Sequence, residues 1–254
     1  MTAVSDEAVV ARTLRGMWPS LPVLLVASAA TCAAATLPVL AAPGLNPVSL
    51  LVGAVAVGPF GTALAATLTS IALDGEATLG TWWRDLRRLW LFGVRQALLV
   101  ATVAILFLAA LEVWSRHGGA WALPSLAITG TATALAVPGL FAVLPLGAAR
   151  PTLRGYRLWL TALHLVARHP ARYLAPLCVL GLGIWAGTAI SAALLLLVPV
   201  PTTAVTVLAT WTSVADMASA ARQPAPPALQ PPSMPTPHRD EEMVSISDRH
   251  SGRR

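Results

Sequence analysis

The chain has 254 residues, 56% of them hydrophobic and only 11% charged, with a formal net charge of +6 and a mean hydropathy of +0.69. A soluble domain of this length does not bury so large an apolar fraction, so the composition excludes an ordinary globular protein and predicts an integral membrane protein. A bilayer core needs about 20 apolar residues per helical crossing, and the sequence supplies several such runs between short arginine-bearing breaks.

Six spans are predicted, making an all-α polytopic transmembrane bundle over residues 21–217, preceded by a cytoplasmic segment 1–20 and followed by a tail 218–254. The first span covers about 21–42 and the second about 48–73, parted by "PGLNP". The start "RTLRGMWPSLPVLLVASAATCAAA" imitates a signal peptide, but the apolar run continues through "TLPVLAA", so a retained span is expected. The third covers about 90–113 and the fourth about 121–147. From Tyr173 to Ala215 the chain is apolar for 43 residues, roughly 65 Å of helix, which is twice the membrane thickness and must fold back. "PVP" at Pro199 to Pro201 is the expected hinge, giving a fifth span of about 173–198 and a weaker sixth of about 201–217. The tail from 222 to 254 is rich in proline and charge and is expected to be disordered.

All 17 basic residues other than histidine are arginine, and short loops retain cations on the cytoplasmic side. With six spans, every arginine but Arg116 falls on one side, so both termini are expected in the cytoplasm of a bacterial cell. Two junctions carry most of this charge. In "DGEATLGTWWRDLRRLW" the cations are Arg84, Arg87 and Arg88, and a helix there puts Arg84, Arg88 and Arg95 on one stripe and Trp82, Leu86 and Leu89 on another. Arg95 lies about one turn inside the span, within snorkelling reach of the surface. In "RPTLRGYRLWLTALHLVARHPAR" the residues Arg150, Arg154, Arg157, Thr161, His164 and Arg168 are spaced 4, 3, 4, 3, 4. That spacing predicts one helical face beside anionic headgroups, with Leu160, Leu163 and Val166 toward the other side.

A Gly/Pro-bearing span, a basic amphipathic segment and a returning span occur twice in the same order, which suggests a parallel internal repeat. Gly58, Pro59 and Gly61 in the second span and Pro138 and Gly139 in the fourth take corresponding places as midplane helix breaks. Gly183, Gly187 and Ser191 form a small-residue ridge in the fifth span, suited to a close helix contact within the bundle or with a partner.

The stretch "GPFGTALAATLTSIALDGEATLGTWWRDLRRLW" resembles the YesL-like bacterial membrane proteins, a domain of unknown function, in its proline, Thr-Ala pair, Gly-Glu turn and tryptophan-basic helix. "LPLGAARPTLRGYRLWLTALHLVARHP" is similar to that family's second loop, although arginine and alanine here replace the usual lysines and many bulky apolar residues. The resemblance implies an accessory role beside a carbohydrate uptake system, with a membrane transporter as partner, and supplies no catalytic residues.

Nothing in the sequence points to catalysis, a cofactor, a metal or nucleic acid. His164 and His169 are five apart, about 140° around a helix, unlike a one-face zinc pair. Cys32 and Cys178 lie in apolar spans and read as packing residues. The hydroxyls of Thr62, Thr67, Thr69 and Ser70, and of Thr129, Thr131 and Thr133, either line a polar cavity or bond back onto their own helices. The expected function is an accessory or partner-binding subunit, and the alternative is a small-solute transporter or channel in its own right.

Overall fold

The computed structural model describes residues 6–150, 152, 153 and 155–220. Of the expected disordered tail 218–254, residues 218–220 are instead helical and continue the last helix, and the rest lies outside the described residues, as does Arg154. The chain runs through α1 (Asp6–Met17), α2 (Leu21–Ala41), α3 (Pro47–Asp74), α4 (Leu79–His117), α5 (Leu123–Ala149), α6 (Tyr156–Arg168), α7 (Pro170–Ala189) and α8 (Pro199–Ala220). There is no strand among the described residues. Six helical segments are long and apolar enough to cross a membrane, so the protein is an all-α polytopic bundle.

Local sequence explains most helix ends. Asn46 accepts from the Ser49 N–H at 2.8 Å and Ser49 returns the contact, so α3 starts on a closed capping box with Pro47 behind it. Gly75, at φ +87°, ends α3 in the left-handed conformation that a side chain disfavours. Thr78 and Thr81 then form a second box that starts α4. α4 continues for 39 residues without interruption, about 58 Å at the helical rise, so the first basic segment and the third span are one rod.

The packing builds two cores. In one, Leu24 and Ala27 of α2 meet Leu64, Leu68 and Ile71 of α3, Trp82 and Leu86 of α4 and Val207 of α8. In the other, Val143 and Leu146 of α5 meet Leu158, Ala162 and Leu165 of α6 and Tyr173 of α7. α8 was the span expected to be weakest, yet between Thr202 and Met217 none of its residues is exposed. It packs on α3, α5 and α7 and touches α1, α2 and α6 as well. The outer positions belong to α4 and α7, whose most apolar stretches are 11% and 17% buried, against 33% to 39% for the other four.

Three expectations are corrected. The hinge does not fall at Pro199–Pro201: α7 ends at Ala189, the chain turns through a 3-10 segment at Ala192–Leu197, and Pro199 begins α8. Proline is compatible with a first helical turn because the N–H groups there have no partner within the helix, so these prolines start a helix instead of breaking one. The six-residue arginine face of the second junction is also interrupted, because Arg150 caps α5 and α6 starts only at Tyr156, after Gly155 at φ +59°. Finally, Pro59 lies inside an unbroken α3, and Pro138 inside an unbroken α5.

Candidate functional site at the arginine-bearing end

The residues expected to break helices instead bring helices together. A Cβ on Gly58 would sit 2.9 Å from the Gly93 carbonyl oxygen, and one on Gly93 would sit 2.7 Å from that of Gly58, so α3 and α4 cross backbone to backbone. Gly139 faces the Trp159 ring of α6, where a Cβ would come within 2.9 Å. Gly61 has open space around it, and Pro59 and Pro138 are buried.

Gly183 faces Val198 and Gly187 faces Leu195, both in the turn between α7 and α8 of the same chain. Ser191 is no part of that ridge: it stands beyond the end of α7 and its hydroxyl accepts from the Ala193 N–H at 3.3 Å. The ridge is therefore filled from within the bundle. Cys32 follows the same pattern, its Sγ lying 3.1 Å from the Leu195 carbonyl, while Cys178 is exposed and unbridged.

Six of the seven hydroxyls expected in the spans bond back. Thr62, Thr67, Thr69 and Ser70 donate to the carbonyls of Gly58, Ala63, Ala65 and Ala66, and Thr129 and Thr133 donate to those of Ser125 and Thr129. The most deeply buried line of hydroxyls was not anticipated. Thr202, Thr206, Thr210 and Ser213 on α8 are all at most 5% exposed, and the three threonines donate to the carbonyls of Val198, Thr202 and Thr206. Their 4, 4, 3 spacing was present in the sequence as a one-face signal.

At the end of that line, the Arg172 guanidinium meets Asp216 at 2.7 Å and lies 3.4 Å from the Thr212 hydroxyl. The start of α7 and the end of α8 are thereby pinned together. Tyr173 beside it is fully buried, with Thr210 and Ser213 next to its hydroxyl.

The arginines named from sequence do not converge. Arg84, Arg87, Arg88, Arg150, Arg157 and Arg168 are all exposed. Arg87 stacks over the Trp83 ring at 4.9 Å, and Arg88 pairs with Asp85 at 3.2 Å. The expected stripe of Trp82, Leu86 and Leu89 is buried within the bundle, Trp82 included, instead of lying at the membrane interface. On α6 the buried stripe is Leu158, Ala162, Leu165 and Val166, while Leu160 is 47% exposed. Val166 is thus buried as one of the expected apolar positions and Leu163 is half-buried, so the docked face of α6 is shifted toward Leu158 and Leu165 and leaves Leu160 outside.

Where the two junctions meet, a cleft of about 860 Å³ opens between α4, the end of α5 and the start of α6. Arg88, Arg95 and Gln96 line it from α4, with Phe92 and Leu99 on the same wall. Gly147 and Ala148 form the α5 side, and Leu153, Gly155 and Tyr156 the far wall. Trp159 crosses the back, its indole N–H donating to Gln96 Oε1 at 2.7 Å. Gly147 has no side chain where the Phe92 ring packs, so a larger residue there would displace the ring that shapes the cleft. Helical spacing alone puts Arg88 and Arg95 on one stripe, whereas the wall opposite is built from residues 147 to 159, far away in the chain.

No group of three His, Cys, Asp or Glu residues is close enough to hold a metal ion among the described residues. Comparison with known protein families, with curated proteins and with solved structures finds no match for this chain.

Proposed function

We propose that this protein is an accessory subunit of a bacterial cytoplasmic membrane, working by contact with another membrane protein and not by moving a solute. The observation that carries the reading is the use of the hydroxyls within the spans. On α3, α5 and α8 they donate to carbonyls of their own helices, at 2.7 to 3.2 Å, instead of pointing together into a common path. The position of α4 and α7 is consistent with it, since both leave most of their apolar surface to lipid or to a second bundle. The link to carbohydrate uptake rests on the resemblance to the YesL-like proteins, and a sugar permease is the partner it implies. In this reading both termini and both arginine-rich junctions face the cytoplasm.

A photoreactive residue in place of Trp185, 62% exposed on α7, should cross-link in native membranes to a permease subunit of a sugar uptake system. Purified protein in liposomes supplies the opposing test: reproducible sugar or ion flux without a partner would establish the transporter reading instead. Orientation is checked by cysteine labelling of intact cells. Thr78→Cys and Thr152→Cys should resist a membrane-impermeant reagent, and ready labelling of either would reverse the topology.

A further inference from the structure

Arg95 differs from the other arginines of the two junctions in where it stands. It is five residues beyond Trp90 along α4, about 7 Å deeper at the helical rise, at a level where apolar neighbours such as Leu91 and Leu99 face outward. No ion pair involving Arg95 occurs among the described residues, although the nearby Arg88 has Asp85 at 3.2 Å. A cation one turn inside a span snorkels toward the headgroups, and with no acidic partner from the protein its nearest counter-charge is a lipid phosphate.

The cleft in front of Arg95 has the polarity of one particular kind of molecule. Residues 88, 92, 95 and 99 follow one another at spacings of 4, 3 and 4, so they form a single stripe of α4. The stripe passes from Arg88 at the surface to Arg95 and then to Leu99, with Phe92 packed between the two cations. Opposite stands the start of α6, whose first-turn N–H groups have no side-chain cap. Such groups are donors that favour an anion. The apolar remainder of the lining and the volume of about 860 Å³ leave room for more than a bare ion.

We propose that this cleft binds one phosphate-headed amphiphile, its phosphate held by Arg95, Arg88 and the start of α6 and its chain laid along Leu91 and Leu99. The phosphate is the shared chemistry, whether a phosphodiester lipid of the bilayer or a lipid monophosphate brings it. One molecule per chain is bound, in contrast to the diffuse attraction that the arginines outside the cleft exert on any anionic surface.

Native mass spectrometry of the full-length protein, released from nanodiscs of stated composition, tests this. Protein from phosphatidylglycerol discs should retain one lipid, and protein from phosphatidylcholine discs of the same acyl chains should retain none. Arg95→Gln should lower retention about tenfold, while Arg168→Gln, the same charge change on the exposed end of α6, should leave it unchanged. Phosphatidic acid discs separate the two sources: tighter retention there assigns a lipid monophosphate, and equal or weaker retention assigns the diester. Equal retention of phosphatidylcholine, or an equal loss from Arg168→Gln, would overturn the site. So would displacement of the lipid by millimolar inorganic phosphate alone. Should Arg95→Gln fail to fold, the unaltered protein still decides. A phosphatidylglycerol carrying a photoreactive acyl chain should label α4 near Leu91 and Leu99 and not α7 near Leu182, and labelling spread evenly over both helices would overturn the proposal.

Discussion

Between α3 and α4 the chain reverses in four residues, Gly75 to Thr78, and the arginines that follow are already part of the helix that forms the third span. Between α5 and α7 the same reversal takes a broken stretch around Gly155, a separate amphipathic helix and a second break at His169. Both junctions are arginine-rich and follow a span with an internal proline, yet one is a rod and the other a hinged layer. Punctuation makes the difference. After Gly75 the first junction has a threonine capping box and then no proline or left-handed residue until Gly118. The second has Pro151, a Gly155 at positive φ and Pro170 within twenty residues. A charge pattern says which side of a membrane a junction occupies, whereas proline and glycine positions decide whether it stands upright or lies against the bundle.

The strongest way to break this comparison is at the crossing that makes the first hairpin rigid. Gly93→Leu should cost about 3 kcal/mol or more in mixed-micelle unfolding, because the α3 backbone cannot recede from a new side chain without opening the whole interface. Gly61→Ala, into open space, serves as the control. A mild effect at Gly93 would mean that the two helices are not held backbone to backbone.

Gly139→Leu tests the second hairpin in the same way and should be gentler, about 1–2 kcal/mol, since its neighbour is the Trp159 ring and not backbone. The spans should stay folded while α6 lifts, and proteolysis of the 150–156 stretch should accelerate. Unchanged proteolysis would show that α6 is held by other contacts.

The two helix starts can be compared directly. Thr78→Ala removes the side chain that caps α4 and should cost about 1 kcal/mol, whereas Gly155→Ala strains a residue at φ +59° and should cost a similar amount at α6. The changes differ in reach, and hydrogen exchange reads that difference. The first should loosen only the opening turn of a long rod, the second the whole of a 13-residue helix. Equal protection changes along α4 and α6 would erase the distinction.

The smallest effects belong to the exposed cations. Arg84→Gln and Arg157→Gln should each change stability by less than about 0.5 kcal/mol, since both side chains are exposed and have no acidic partner among the described ion pairs. A large loss from either would reveal a contact specific to that junction.

Hydropathy determined the number of spans, because a segment that crosses a bilayer must be long, apolar and helical whatever surrounds it. The stripe of Trp82, Leu86 and Leu89 was legible for a related reason, since helical periodicity alone puts it on one face. What lies across from a face was not legible. Gly58 and Pro59 looked like a break when read along one helix and proved to be half of a crossing once Gly93 stood opposite. The ridge of Gly183 and Gly187 left a contact within the bundle and one with a partner equally open until the chain returned with Leu195 and Val198 to fill it. α8 was expected as a weaker span, yet its line of hydroxyls fits the centre of the bundle by bonding back onto its own helix. The cleft joins residues 88 to 99 with residues 147 to 159, so no local pattern contains it. Periodicity belongs to each helix by itself, but the partner of a face depends on how all the helices close around one another.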